Sequence, residues 1–260
     1  MTKGVGGRLT NAPLVYALCQ VRFSSVLSIE EYVPAIQERI RKAFPRFNKE
    51  VLQLIKVGHP GGTLEPSFTH RWTFVNKENT AGFIINADAI VFHTTDYKRF
   101  ADFAESLEKG LEVIAEILDI SLVERIGLRY IDFIEPKGTL SIRDNVHEQL
   151  AGFPNEEVGF DAVSQKHESR CATPAGQMTI KYSQAQHDAV IPHDLLPISL
   201  SLSKSPPPNE VTGILDTDHY WQEGDDFDVA RIMERLSKLH DHTNAAFCAS
   251  VTQEALESWR

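Results

Sequence analysis

One order of hydrophobic periodicities, strand, helix, four strands, helix, runs through this chain and then runs through it again. Residues 14–23 alternate Val15, Ala17, Cys19, Val21 and Phe23 against Tyr16, Leu18, Gln20 and Arg22, the period-two pattern of a strand with one more apolar face. Ser28, with Glu31 three residues on, reads as a capping box. Ile29, Tyr32, Val33, Ile36, Ile40 and Phe44 then recur at helical spacing, with Pro34 expected to kink the helix and Pro45 to end it. Strand-like runs follow at 51–57, 71–75, 82–87 and 89–94, separated by turn-forming stretches such as His59-Pro60-Gly61-Gly62. A long helix over about 97–118 carries Phe100, Phe103, Leu107, Leu111, Ile114 and Leu118 along one stripe, which must face a core.

The second pass starts with a strand at 122–134. Ser141 with Asp144 opens a short helix reaching about 153, and strands are expected at 160–172, 177–184, 198–203 and 211–218. A closing helix over 227–250 sets Val229, Ile232, Leu236, Leu239, Thr243 and Phe247 on one face. Local matches fall in the same order in both passes: Val21-Arg22-Phe23 with Leu128-Arg129-Tyr130, Leu27-Ser28-Ile29 with Leu140-Ser141-Ile142, and Thr95-Asp96-Tyr97 with Thr217-Asp218-His219-Tyr220. The expected fold is therefore α+β, a duplicated β-α-β4-α unit with halves at 1–120 and 121–260 sharing one antiparallel sheet, its long helices packed on one face. This architecture resembles the TATA-binding-protein-like fold. The likeness transfers no DNA binding, since function belongs to sites and not to folds.

Charge and cysteine usage narrow the classes. With 26 basic and 36 acidic residues the net charge is −10, which repels nucleic acid and anionic membranes unless a local basic patch intervenes. Cys19, Cys171 and Cys248 are too few and too scattered for a disulfide framework or a CxxC metal knuckle, and they fit a reducing cytosol. Residues 1–9 lack the apolar run of a signal peptide, and no stretch reaches the ~18 apolar residues of a membrane span. The expectation is a soluble, cytoplasmic protein.

The stretch Pro13-Leu14-Val15 leading to Arg22-Phe23, the Trp72-Thr73-Phe74 strand, and above all Arg125-Ile126-Gly127-Leu128-Arg129-Tyr130-Ile131-Asp132 resemble a sporadically distributed bacterial family of uncharacterised proteins of about this length. That resemblance covers nearly the whole chain and supplies no active site. The family's patchy distribution implies an accessory role such as defence or toxin antagonism.

Four side chains form the candidate binding site. Gln20 and Arg22 lie on the less apolar face of the first strand, and Arg125 and Arg129 share the corresponding face of the strand at 122–134. If the halves pack about a pseudo-twofold axis, the arginines converge on the central sheet. They then form either an anion- or partner-binding face, or internal pairs with carboxylates such as Asp132 or Glu124. The alternative is a metal-dependent hydrolase using Asp216, Asp218 and His219 at a strand-to-helix junction, with histidines from 187–193 or 240–242. His240 and His242 diverge on a helix, and capping alone accounts for Asp218.

Other signals are weaker. Neither Gly4-Val5-Gly6-Gly7 nor the glycines at 58–62 is followed by the Lys-Ser/Thr of a phosphate loop, and no serine sits in a GxSxG elbow. Cys19, in an apolar strand, reads as core, as do Trp72 and Phe74. The reading is a non-catalytic binding protein with no cofactor, recognising a protein or a small anionic ligand. Sheet edges would be covered by a homodimer or by an insertion such as 205–209.

Overall fold

A computed structural model describes residues 9–56, 65–138, 140–153, 158–160 and 163–260, with backbone alone for 52–56 and 65–68. The glycines at 4–7 and the turn at 59–62 lie outside the described residues. The chain runs β1 (Leu14–Phe23), α1 (Ile29–Ile40), β2 (Arg46–Lys56), β3 (Glu65–Val75), β4 (Ala81–Asn86), β5 (Ala89–Thr94) and α2 (Phe100–Leu118). It continues through β6 (Leu122–Ile134), α3 (Glu148–Ala151), β7 (Ser164–Thr173), β8 (Gly176–Ala185), β9 (Thr212–Trp221), β10 (Asp225–Asp226), α4 (Val229–Ser250) and α5 (Gln253–Ser258). The result is α+β. One antiparallel sheet runs β2-β3-β4-β5-β1-β6-β9-β8-β7, with β10 added beside β6.

The alternation read in 14–23 becomes the centre of this sheet. Cys19 lies opposite Leu128 and Val21 opposite Ile126 across the β1/β6 ladder, so one face of the central pair is continuously apolar. That face receives the stripes of α1, α2 and α4: Ile36, Leu107, Leu111, Ile114, Leu236 and Leu239 are buried against Cys19, Val21, Phe23, Ile126 and Leu128. Trp72 and Phe74 belong to the same core. Cys19 is buried there too, and loss of solvent pushes its thiol up to about 12, which suppresses the thiolate.

Helix ends follow local chemistry. Asp228 accepts from Arg231 N–H at 2.8 Å and caps α4, and Thr252 does the same for α5 through Ala255 N–H at 3.2 Å. The capping box expected at Ser28 and Glu31 does not form: the Ser28 side chain caps nothing, and Glu31 N–H donates to the Ser28 carbonyl. α1 continues through Pro34. In the second half, Ser141 N–H donates to Asp144 Oδ2 at 2.8 Å, but the expected helix to 153 is only a 3-10 turn at 143–145 followed by α3. The reason is Asn145, fully buried, whose amide turns back onto the Ser141 carbonyl at 2.8 Å while its own carbonyl accepts Thr252 N–H.

The larger correction concerns residues 198–203. They form no strand, so the second half contributes β6, β9, β8 and β7, with β10 as a short addition. The connection at 186–211 instead crosses the face of the sheet opposite the long helices. Val190, Ile191 and Leu200 are buried there against Val15, Tyr16, Ile131, Phe133 and Ile214. Arg71 Nη2 donates to the Pro197 carbonyl at 3.1 Å, and Thr95 Oγ1 to the Ser201 carbonyl at 2.8 Å. Pro197 and the prolines at 206–208 bound the run at 198–203 on both sides, and its apolar side chains Ile198, Leu200 and Leu202 pack on the sheet beneath instead of on a ladder partner. Gln186 Nε2 donates to the Asn209 carbonyl at 3.4 Å, which ties the end of the proline run to the residue that follows β8. Among the described residues no helix is long and apolar enough to cross a membrane.

Candidate functional site

The candidate arginines stand on the face crossed by the 186–211 connection, the strap. Strand alternation places Gln20 and Arg22 of β1, Arg125, Gly127 and Arg129 of β6, and Asp216, Asp218 and Tyr220 of β9 on this one side. Arg129 is held on two sides. Its Nε and Nη2 donate to Asp216 Oδ1 and Oδ2 at 2.8 and 2.7 Å, and its Nη1 donates to Asp194 Oδ2 of the strap at 2.7 Å. The two carboxylates differ in burial: the Asp216 side chain is 6% exposed and that of Asp194 63%. Burial alone would lower the Arg129 pKa, but the hydrogen bonds to Asp216 and Asp194 raise it instead. The hydrogen bond from Arg129 holds the Asp194 carboxyl below the usual aspartate value.

Arg125 is less engaged. Its Nη1 donates to Gln20 Oε1 at 2.9 Å, Asp218 Oδ2 is 3.7 Å from Nη2, and the guanidinium carbon sits 4.4 Å from the centre of the Tyr220 ring. A Cβ at Gly127 would lie 2.8 Å from Arg125 Nη1, so the glycine of the Arg-Ile-Gly-Leu-Arg motif is the bed on which the guanidinium rests. Burial raises the Asp218 pKa, with Arg125 and Arg129 opposing it. A cavity of about 250 Å³ opens over these groups, lined by Gln20, Arg71, Arg125, Arg129, Asp194 and Asp218 with Leu195 and Pro197 of the strap at its wall.

Two expectations change here. Arg22 stands apart, paired with Asp88 at 2.8 Å with both side chains 42% exposed, and it does not line the cavity. The carboxylates on the arginines are Asp216, Asp194, Asp218 and Asp88, not Asp132 or Glu124: Glu124 accepts from Ser24, and Asp132 lies on the opposite, helix-covered face.

The hydrolase residues do not converge. Asp216, Asp218 and His219 are inside β9 and not at a strand-to-helix junction, so alternation sends His219 to the other face from the two aspartates. There His219 pairs with the Leu239 carbonyl through Nδ1 at 3.0 Å and with Thr173 Oγ1 through Nε2 at 2.8 Å. His187 sits between Ser183 and Thr212, and His193 pairs with Asp188. Among the described residues no group of three His, Cys, Asp or Glu side chains is placed to hold a metal ion.

A second cavity, of about 530 Å³, lies on the helix-covered face between β6, β9 and α4. Its lining includes a hydrogen-bonded chain, Tyr97 OH to Tyr130 OH at 3.1 Å and Tyr130 OH to His240 Nδ1 at 3.0 Å, with Phe100 stacked 3.9 Å from the His240 ring. Asp132 lines the same space and is 5% exposed. It was legible as an anomaly: in the apolar run Ile126, Leu128, Tyr130, Asp132, Ile134 on the core parity of β6 it is the one charged residue. Burial raises its pKa from 3.8 to about 8. The native state therefore holds a proton that the unfolded chain releases between those values, and stability falls as pH rises from 3.8 to about 8. Asp132→Asn is expected to flatten that slope in urea midpoints measured across the window. Parallel curves for variant and wild type would contradict this.

A scan of protein-family models finds no match to this chain, and no curated protein matches it.

Proposed function

We propose that the chain is a non-catalytic cytosolic binding protein, built from two related β-α-β4-α halves on the TATA-binding-protein-like plan, that recognises a small anionic ligand through the Arg125 and Arg129 face. Support for the duplication comes from strand order. Read outward from the central pair, the halves run β1-β5-β4-β3-β2 and β6-β9-β8-β7, the same path with the outermost strand missing from the second half among the described residues.

The observation that carries the binding role is the state of Arg125. Its guanidinium, 18% exposed, has one side-chain acceptor within hydrogen-bond distance and borders a cavity, so donors remain for a carboxylate or phosphate. Arg129 adds a second cation whose structural partner is Asp216. Its other partner, Asp194, comes from the exposed strap and occupies the place an incoming anion would take. The reading extends to an acidic group displayed by a partner protein. The accessory defence or toxin-antagonist role implied by the family resemblance gives it a setting, which co-purification from the native cell tests.

Malonate, a compact dianion, is the direct probe. Calorimetric titration is expected to show binding that Arg125→Gln weakens by about tenfold or more, the loss of roughly one charge-assisted hydrogen bond. Gly127→Val is expected to weaken it comparably by lifting the guanidinium from its bed, while the melting temperature stays nearly unchanged because valine suits a strand. Malonate binding that is indifferent to Arg125→Gln would sink this assignment.

A further inference from the structure

The cavity on the helix-covered face is independent of the arginine site, being separated from it by the thickness of the sheet. Its volume, about 530 Å³, is in the range of small-molecule sites, roughly 300–1,000 Å³. Asp132 in its wall makes no hydrogen bond or ion pair among the described residues. Buried carboxyls are normally paired, so this one is an outstanding demand for a donor or a cation. The nearby cations do not meet it. Lys98, Arg99 and Lys204 stand at the rim and are turned to Asp96, Asp102 and Glu135 at 2.6, 2.7 and 2.7 Å. Tyr97, Tyr130 and Phe247 supply aromatic rings in the same lining, and Thr217 brings a hydroxyl from β9. A carboxyl beside aromatic faces suits a positively charged nitrogen on an apolar body, which gains both an ion pair and cation-π contact.

We propose that this cavity is a binding site for a small organic cation, a primary ammonium compound whose head pairs with Asp132 and whose apolar body lies among Tyr97, Tyr130 and Phe247. An ammonium ligand selects the ionised carboxylate, so binding releases a proton from Asp132 and strengthens as pH rises toward about 8. Burial raises the Tyr97 and Tyr130 pKa values and lowers that of His240, which favours the neutral form of all three, while Lys98, Arg99 and Lys204 at the rim are each paired with a carboxylate.

The probes are benzylammonium and its neutral isostere benzyl alcohol, titrated into the full chain by calorimetry. At about pH 8.5 benzylammonium is expected to bind at least about tenfold more tightly than the alcohol, and to weaken by about tenfold or more at about pH 6.5. Asp132→Asn is expected to abolish both the preference and its pH dependence. Asn244→Trp, at an exposed position of α4 in the cavity lining, is expected to block the probe without disturbing the core, and it serves as the control should Asp132→Asn fail to fold. Equal affinity for amine and alcohol, an unchanged affinity in Asp132→Asn or Asn244→Trp, or no measurable binding of benzylammonium would each overturn the proposal.

Discussion

Arg129→Ala is expected to destabilise the protein by about 3–5 kcal/mol, whereas Asp194→Ala, which removes a partner of the same guanidinium, is expected to cost less than about 1 kcal/mol. The contrast follows from burial and not from bond count. Arg129 is 14% exposed and its Asp216 partner 6%, so deleting the guanidinium leaves a carboxylate in low dielectric with its bidentate partner gone. The Asp194 carboxylate is largely in water before and after, so little desolvation is at stake. Urea unfolding of the two variants beside wild type makes the comparison. A loss below about 1 kcal/mol in Arg129→Ala would mean that Asp216 is solvated or has found another cation, and that Arg129 does not anchor β6 to β9.

Phe83→Ala is expected to be comparably severe, about 3–5 kcal/mol, because the ring is fully buried between the sheet and α2 and packs on Phe44 and Phe92 at 5.2 and 4.9 Å. Its position explains Gly110 in the middle of α2. A Cβ there would come within 2.1 Å of Phe83 Cζ, so the helix accepts a poor helix former to approach β4 closely. Gly110→Ala alone should therefore cost about 1–3 kcal/mol through overpacking, despite a helix-propensity gain of about 1 kcal/mol. In the Phe83→Ala background the clash is gone and the same change should stabilise. Additive effects in this double-mutant cycle would show that the ring and the helix backbone do not compete for one space.

Much of the architecture could be read from periodicity because long elements with one buried face repeat their pattern many times. The stripe from Phe100 to Leu118 and the alternation of 14–23 reappear as α2 and β1. Short apolar runs were misleading for the converse reason. Ile198, Leu200 and Leu202 alternate as a strand would, yet the segment holding them is the strap, which lays those side chains on the face of the sheet without joining its ladder. Asp216, Asp218 and His219 were misread because polar residues crowded before a helix resemble a cap. In fact β9 runs on to Trp221, and its alternation divides the cluster between two faces. The pairing of Arg125 and Arg129 on one face was legible from parity alone, but their partners were not. Asp194 arrives from a connection 65 residues away and Asp216 from a strand 87 away, separations that no local pattern encodes.

On the proposed reading Asp194 holds a place on Arg129 that an anionic ligand can take, and the malonate affinity of Asp194→Asn measures that occupancy. A tethered carboxylate competes at high effective concentration, so an occupied seat lowers the apparent affinity by the fraction of time it is filled. Removing that charge while leaving Arg125, Arg129 and Asp216 in place is expected to tighten malonate binding by about tenfold. An affinity that is unchanged or weaker in Asp194→Asn would contradict the claim, because it would make the strap carboxylate a spectator or a part of the site and not its competitor.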